Sequence, residues 1–436
     1  MSGELLPILI FLGVLFTLLG AGVWVGIALM GVAWVGMELF TSRPVGDAMV
    51  TVMWRSSSSW TLTALPLFIW MGEILYRTRL SEDMFKGLAP WMARLPGGLL
   101  HTNVVGCTVF AAVSGSSAAT LVTVGKMSIP ELRKRNFPDK QILGTLAGAA
   151  TLGLMIPPSL TLIVYGVTVN ESITKLFIAG IVPGLVLAAL FMGWIALQPL
   201  VNKNWNPNPE PEMTFAQKFA ASRYLIPLFI LIAAVIGSMY TGLATATEAA
   251  AIGVLGALTL ALFQGSLNFR SLTESLMGAV LTSAMIALIL AGAAFLSLAM
   301  GFTGLPRMLA ETITGWGLTK VQLILALMMF FIVLGCFLDG ISIVVLTMAV
   351  IEPLIRQAGI DIIWFGIFIV VVIEMAQITP PVGFNLFVLQ GMTRRPLGYI
   401  AWAALPMFLI MMLMVVILMA FPELATWLPA QIRGPA

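Results

Sequence analysis

Ser114-Gly115-Ser116-Ser117-Ala118-Ala119-Thr120 interrupts one apolar run of this 436-residue chain, and Ile156-Pro157-Pro158-Ser159 interrupts the next. A matching pair of interruptions lies far downstream, at Leu338-Asp339-Gly340-Ile341-Ser342 and at Thr379-Pro380-Pro381-Val382. The chain has no other Pro-Pro pair, and these two lie 223 positions apart. Without any gap, the same shift superposes Pro130 on Pro353, Arg133 on Arg356 and Pro183 on Pro406. We interpret this common register as a duplicated structural unit.

Hydrophobic residues make up 60% of the chain and charged residues only 9%, which excludes a soluble globular protein and predicts a membrane protein with several spans. His101 is the single histidine, and the two cysteines, Cys107 and Cys336, lie in separate apolar runs. This composition predicts neither a transition-metal cluster nor a disulfide framework, and both cysteines are expected to be packing residues. The first apolar run follows Glu4 without a preceding Lys or Arg and is predicted to be a retained helix.

Apolar segments recur along the whole chain, and most are long enough to span a bilayer as a helix of about 20 residues. They cover residues 5–19, 23–40, 61–75, 99–124, 142–167, 176–197, 224–240, 246–263, 276–300, 321–351, 362–389 and 399–421. The predicted fold is therefore an all-α polytopic membrane protein.

Basic loops predict the orientation of these segments, because an excess of Lys and Arg marks the cytoplasmic side. Such loops lie at 77–94, 126–140, 203–223 and 394–395. Since segment 99–124 has basic loops on both sides, it is predicted to enter and leave on one face, as a re-entrant helical hairpin with its tip at 114–120. The segment broken at Asp339 is predicted to enter from the opposite face. The halves are then inverted repeats, each with a hairpin and a broken helix, and both chain termini are predicted to be periplasmic.

This topology predicts a division of the chain into scaffold and transport parts. The parts are the scaffold helices of the first repeat at 1–76, a cytoplasmic amphipathic arm at 77–98, the first transport half at 99–198, a cytoplasmic linker at 199–222, the scaffold helices of the second repeat at 223–300, a periplasmic arm at 301–320, the second transport half at 321–421 and a C-terminal tail at 422–436.

Backbone breaks in equivalent positions of two halves are typical of a midplane binding site in a secondary transporter. A proline removes the donor that would have bonded a carbonyl of the preceding turn, and such carbonyls suit a hard monovalent cation such as sodium. The alternative is that each Pro-Pro pair is only a packing kink. Two such pairs in one register favour the binding site.

Two carboxylates lie inside apolar segments. Asp339 is the only charged residue between Lys320 and Glu352, and an embedded carboxylate is a functional-site hypothesis by default. A cation-ligand role is favoured for Asp339 over a helix cap or a proton carrier. The counterpart of Glu374 under the 223-residue shift is Thr151, and structural hydrogen bonding is at least as plausible for Glu374 as a functional role.

Hydroxyl and amide side chains near the breaks are candidate contacts for an ion or a substrate. The alternative for the serine cluster at 114–117 is that small residues let two helices pack closely. Asn385 follows the second Pro-Pro pair, near the predicted start of a half-helix, where free amide hydrogens favour an anion. The candidate substrate contacts are Ser117, Thr120, Ser159, Thr161 and Asn385.

At these residues the sequence resembles the large membrane subunit of the TRAP transporters, the tripartite ATP-independent periplasmic family, over nearly its whole length. The resemblance rests on the run 62–75 with Ala64-Leu65-Pro66-Leu67 and on the stretches 114–120, 150–159, 174–184, 247–253, 339–353 and 377–391.

The resemblance implies an elevator-type carrier of the ion-transporter superfamily, driven by sodium, with a small four-helix membrane subunit and a periplasmic substrate-binding protein as partners. The small subunit is expected to be a separate chain. The resemblance places a first sodium site at Ser114, Ser116, Gly153, Ile156 and Pro158. The second site follows by repeat equivalence at Asp339, Ala376, Thr379 and Pro381, mostly through backbone carbonyls. Phe337 stands opposite Ser114, so the two sites cannot use identical side chains.

Two other functions were weighed against this one. An intramembrane protease would need a Ser/His dyad or paired aspartates, and neither His101 nor Asp339 has such a partner, so the chain is not expected to be an enzyme. A stand-alone sodium- or proton-coupled dicarboxylate carrier would have Ser-Asn-Thr at its hairpin tips, and neither tip contains it. The favoured function is import of a small organic anion, with a carboxylate as the leading class, across a bacterial inner membrane.

Overall fold

The computed structural model describes residues 2–78, 80–201, 213–304, 315, 317–336, 338–381 and 383–431, without the side chains of residues 2–8, 80–82 and 201. Helices account for almost all of the regular structure. The helices of the first half are Ser2–Gly20, Val25–Phe40, Val45–Ser57, Ala64–Tyr76, Leu80–Met92, His101–Ser114, Ser117–Lys134, Asp139–Ala150, Leu152–Met155, Leu160–Val169 and Ile173–Val201, with short 3-10 helices at Trp60–Thr63 and Gly98–Leu100. Those of the second half are Phe215–Ser222, Ile226–Tyr240, Ala246–Phe263, Phe269–Thr303, Lys320–Gly335, Gly340–Gln357, Ile362–Gln377, Phe384–Thr393, Leu397–Ala420 and Glu423–Ala430.

The helices are apolar enough for an integral membrane protein. Within the described ranges, six helical runs are long enough to cross a bilayer when the broken run Asp139–Val169 is counted as one, or seven if the bent pair Phe215–Ser222 and Ile226–Tyr240 forms one span. Several other apolar helices have only 10–17 residues, among them His101–Ser114, Lys320–Gly335 and Ile362–Gln377. Short helices of this kind fit hairpin arms and half-helices rather than full spans, because a span needs about 20 residues.

The predicted duplication is confirmed in the helix boundaries. Shifting Ser117–Lys134 by 223 positions gives Gly340–Gln357, with both ends in agreement. The same shift takes the first residue of Asp139–Ala150 to Ile362, which begins its counterpart helix. Both Pro-Pro bonds are cis. The hairpin and broken helix of each half therefore have a common design, and the fold is that of two inverted repeats.

The scaffold helices of the two repeats differ more. In the second repeat one helix, Phe269–Thr303, runs for 35 residues, whereas the first repeat has two helices, Val45–Ser57 and Ala64–Tyr76. The helix Val45–Ser57 is absent from the predicted apolar segments, because Asp47, Arg55 and several serines make it amphipathic. The run of serines at 56–59 ends it, since serine side chains compete for backbone hydrogen bonds.

The polar segment between the repeats is partly helical. The helix Ile173–Val201 continues into the predicted linker 199–222, and Phe215–Ser222 starts at a capping box between Thr214 and Gln217. Trp91 of the amphipathic arm donates from Nε1 to Ser222 Oγ at 2.8 Å, so arm and linker pack together. Residues 202–212 of the linker, 305–314 and 316 of the second arm, and 432–436 of the tail lie outside the described residues. The division into scaffold and transport parts stays a prediction.

Candidate functional site

The tip of the first hairpin is a tight turn between His101–Ser114 and Ser117–Lys134. Gly115 adopts a left-handed conformation with φ +61°, which glycine accepts without steric cost and which ends the first arm. Ser116 then caps the second arm, its Oγ accepting from Ala119 N at 3.4 Å. The hydroxyls of Ser114 and Thr120 are hydrogen-bonded at 2.8 Å. The Ser-Gly-Ser-Ser sequence thus builds a hairpin whose tip is rich in oxygen atoms.

This tip lies directly on the first helix break. Leu160 N donates to the carbonyl oxygen of Gly115 at 3.3 Å. A Cβ atom on Gly115 would stand 2.7 Å from the carbonyl oxygen of Pro158, and a Cβ on Gly153 would stand 2.8 Å from that of Ser116. The structure therefore brings Ser114, Ser116, Gly153 and Pro158 together, and Ile156 lies in the same break. All five residues predicted for the first sodium site belong to one contact region.

The second hairpin tip contains Asp339 as the cap of Gly340–Gln357. Its Oδ2 accepts from Ile341 N at 3.1 Å and from Ser342 N at 3.2 Å, and the Ser342 hydroxyl donates to Oδ1. The side chain is exposed. Of the three roles weighed for Asp339, the helix cap is the one the structure shows directly, and its role as a cation ligand stays a prediction.

The second tip also lies against the second break. A Cβ on Gly335 would meet the Cβ of Ala376 at 2.4 Å, and the Cys336 thiol donates to the carbonyl oxygen of Pro380 at 3.5 Å. Thr379 donates from its hydroxyl to the carbonyl oxygen of Met375 at 2.6 Å. Ala376, Thr379 and the Pro-Pro pair thus adjoin the end of the first arm. Phe337, the predicted counterpart of Ser114, lies outside the described residues.

The five candidate substrate contacts divide into two groups. Thr120 is hydrogen-bonded to Ser114 within the hairpin, Ser117 donates to Gln377 of the second repeat, and Ser159 Oγ accepts from Leu162 N at 3.3 Å as a helix cap. Thr161 and Asn385 are fully buried, and within the described part of the chain neither the Thr161 hydroxyl nor the Asn385 amide has a hydrogen-bond partner. Since buried polar groups are normally paired, Thr161 and Asn385 retain capacity for a ligand.

Glu374 is buried to 1% exposure inside Ile362–Gln377. The Ser117 hydroxyl lies beside its carboxyl group, but that hydroxyl makes its hydrogen bond to Gln377, and among the described residues neither oxygen of Glu374 has a partner. The Ser117 hydroxyl thus lies beside both Glu374 and Gln377, and the structural role weighed for Glu374 stays a prediction.

Gln377 also contacts the first hairpin tip and is not among the residues predicted from the sequence. It ends the helix before the second break, and its Oε1 accepts from Ser117 Oγ of the first hairpin at 3.0 Å. Its repeat counterpart is Leu154, so the duplication does not draw attention to it. The only local signal was a polar residue next to the Pro-Pro pair.

A cavity of about 970 Å³ is lined by residues of both repeats. Its lining includes Arg55 and Glu171 of the first repeat, and Thr245 and Glu352 of the second. Glu352 is paired with Arg356 at 2.9 Å, whereas Arg55 makes no ion pair with a described residue. Within the described ranges no cluster of three or more His, Cys, Asp or Glu residues could hold a metal ion.

Two inverted hairpins, each seated on a broken helix within an apolar bundle, define a membrane transport protein of the two-repeat class. Comparison with known proteins gives the family. Residues 12–424 match the model of the Tripartite ATP-independent periplasmic transporter, DctM component, and the chain belongs to this family.

Two relatives match along almost their full length. The chain is 30% identical over 443 residues to the C4-dicarboxylate TRAP transporter large permease protein DctM of Rhodobacter capsulatus, covering 97% of this chain and 98% of that protein. It is 29% identical to the ectoine/5-hydroxyectoine TRAP transporter large permease protein UehC of Ruegeria pomeroyi, covering 92% and 94%. Its fold resembles the crystal structure of the Alcanivorax borkumensis YdaH transporter, with a TM-score of 0.62 at 15% identity over 89% of each chain.

Proposed function

We propose that this chain is the large permease subunit of a sodium-coupled, binding-protein-dependent secondary transporter that imports a small organic anion by an elevator mechanism. The observation that carries the proposal is the pair of hairpin tips, each packed on a cis Pro-Pro break and related by one 223-residue register. The chain acts as a permease and not as an enzyme. It lies in the bacterial inner membrane with both termini in the periplasm.

Sodium coupling is supported by the chemistry at the tips. The first tip presents the hydroxyls of Ser114 and Ser116 next to backbone carbonyls of the break, and hard cations prefer oxygen ligands. The second tip adds the carboxylate of Asp339. A bound sodium ion offsets the negative charge of the substrate in the low-dielectric interior, so that ion and anion cross together at lower cost than either alone.

The partners follow from the tripartite family. We propose a small four-helix membrane subunit, as a separate chain, and a periplasmic binding protein that delivers the substrate. The two relatives are named for different compounds, a C4-dicarboxylate and ectoine, and for this chain we propose only the class, a small carboxylate. Thr161 and Asn385 have the hydrogen-bonding capacity to hold it near the starts of two half-helices.

The proposal is tested by uptake into proteoliposomes that contain this chain and its small subunit. Loaded binding protein is supplied under an inward sodium gradient or an inward proton gradient. Uptake is expected only with both sodium and the binding protein, because sodium orders the tips and the binding protein supplies the substrate. Uptake that runs on protons alone, or without a binding protein, would move the chain to the stand-alone dicarboxylate carriers.

Arg55 gives a second expected result for the same assay. Its positive charge lines the cavity between the two repeats and has no described acidic partner, so it attracts an incoming anion. The variant Arg55→Ala is expected to raise the apparent KM about three- to tenfold with little change in the maximal rate, and added salt should shrink the difference. Arg270→Ala is the control, because Arg270 is exposed and pairs with Glu274 outside the cavity lining. Equal KM values for the two variants would show that Arg55 does not attract the incoming substrate.

A further inference from the structure

Gln377 contacts the first hairpin from the far end of the sequence. Gln377 is 5% exposed and Ser117 is 3% exposed, and Gln377 Oε1 accepts from the Ser117 hydroxyl. Ser117 is the first residue of the second arm of that hairpin. The hydrogen bond therefore joins the break of the second repeat to the tip of the first.

The same side chain also reaches the second hairpin. A Cβ atom on Gly340 would stand 3.5 Å from Gln377 Nε2. Gly340 is the first residue of the second arm of the second hairpin and follows Asp339 directly. One buried amide thus lies against the starting residues of both second arms.

The 223-residue register shows that this hydrogen bond has no equivalent in the other half, where the contact is apolar. The register takes Ser117 to Gly340 and Leu154 to Gln377, and Leu154 indeed lies near Gly340, with its Cδ1 3.6 Å from the same Cβ position. If position 377 held a leucine, as position 154 does, the two leucines would fill the space beside Gly340 by apolar packing alone. A buried amide is costly unless it is hydrogen-bonded, so Gln377 contributes something that leucine does not.

We propose that Gln377 is a positioning residue that couples the two hairpin tips, so that a cation that orders one tip favours order at the other. This inference rests on the proposed sodium-coupled function. A single buried hydrogen bond is strong enough to change the sodium affinity of one tip about two- to tenfold when the other is ordered. Such coupling is reciprocal, so either tip can act first. The transport half then moves only with both tips ordered.

The test is a sodium titration of the complex with its small subunit. Sodium dependence is measured as the thermal unfolding midpoint of the purified complex and as the initial rate of uptake, with choline replacing sodium. The wild-type complex is expected to give a Hill coefficient of about 1.5, and Gln377→Leu, which copies Leu154, a value of about 1. Ser117→Ala should lower the Hill coefficient in the same way. The double variant should lower it no further, because both substitutions remove the same hydrogen bond.

The matched control is Gln198→Leu. Gln198 is also 5% exposed and also accepts a side-chain hydrogen bond, from Gln141 Nε2 at 2.7 Å, but it lies near the end of Ile173–Val201, far from the tips in sequence. The variant Gln198→Leu should therefore leave the Hill coefficient unchanged. If Gln377→Leu does not fold, Ser117→Ala still decides the question.

The coupling role is overturned by a wild-type Hill coefficient of 1. It is also overturned if Gln377→Leu or Ser117→Ala keeps the wild-type Hill coefficient. A wild-type complex that does not respond to sodium overturns the proposed function itself.

Discussion

Replacing Gly153 with alanine is expected to lower sodium-driven uptake at least about tenfold, the factor that corresponds to about 1.4 kcal/mol. The added Cβ would stand 2.8 Å from backbone atoms of both Ser116 and Ser117, and backbone atoms of a tight turn cannot move aside as a flexible side chain can. Overpacking of this kind costs about 1–3 kcal/mol. The first tip would then be held away from the break on which it rests.

The measurement is the initial uptake rate at several sodium concentrations. Gly193→Ala is the control, because Gly193 is also a helical glycine of the first transport half, and nothing lies within 4 Å of the position of its added Cβ. That variant should transport like the wild type. If Gly153→Ala also transports at the wild-type rate with unchanged sodium dependence, the contact between the first tip and its break is not needed for transport.

The variant Asp339→Asn is expected to raise the sodium concentration for half-maximal uptake at least about tenfold while leaving the folded protein intact. Asparagine caps a helix about as well as aspartate, so the bonds to Ile341 N and Ser342 N can persist, whereas the negative charge that would hold a cation is lost. Asp339→Ala removes both the charge and the helix cap, so it should in addition lower the free energy of unfolding by about 1 kcal/mol. Uptake and thermal unfolding, measured on the same preparations, separate the two effects.

Asp361→Asn is the matched control for the two Asp339 variants. Asp361 also caps a helix, accepting from Trp364 N at 2.8 Å, but it lies at the opposite end of Ile362–Gln377 from the break. Its substitution should leave the sodium dependence unchanged. Wild-type sodium dependence in Asp339→Asn would show that Asp339 acts only as the cap seen in the structure and would leave the second tip without its proposed charged ligand.

The two tips share a backbone design but differ in chemistry. The register takes Ser117 to Gly340 and Thr120 to Ile343, so the first tip supplies hydroxyl oxygens where the second has apolar or absent side chains. The second tip has its carboxylate at Asp339 instead, where the first has Ser116. We therefore expect the two proposed sodium sites to differ in affinity and in their response to substitution.

The sequence by itself determined the features that depend on neighbouring residues. Apolar runs, Pro-Pro pairs and the Ser/Gly cluster act within a few residues of where they stand, so the helical class, both breaks and the 223-residue register could be predicted from them. The helix Val45–Ser57 was not predicted, because its charged residues and serines interrupt the apolar pattern on which the prediction of helices rested.

The tertiary structure alone decided which distant residues meet. Ser117 and Gln377 are 260 positions apart, and no local pattern specifies their hydrogen bond, because it arises from the way the two repeats pack around a common centre. The same holds for the burial of Glu374 and for the amide of Asn385, which has no hydrogen-bond partner among the described residues, since burial and pairing belong to the assembled bundle and not to the chain around each residue. The breaks are local because they follow from the covalent chemistry of proline and glycine, whereas the site they form depends on contacts made only when both repeats are folded together.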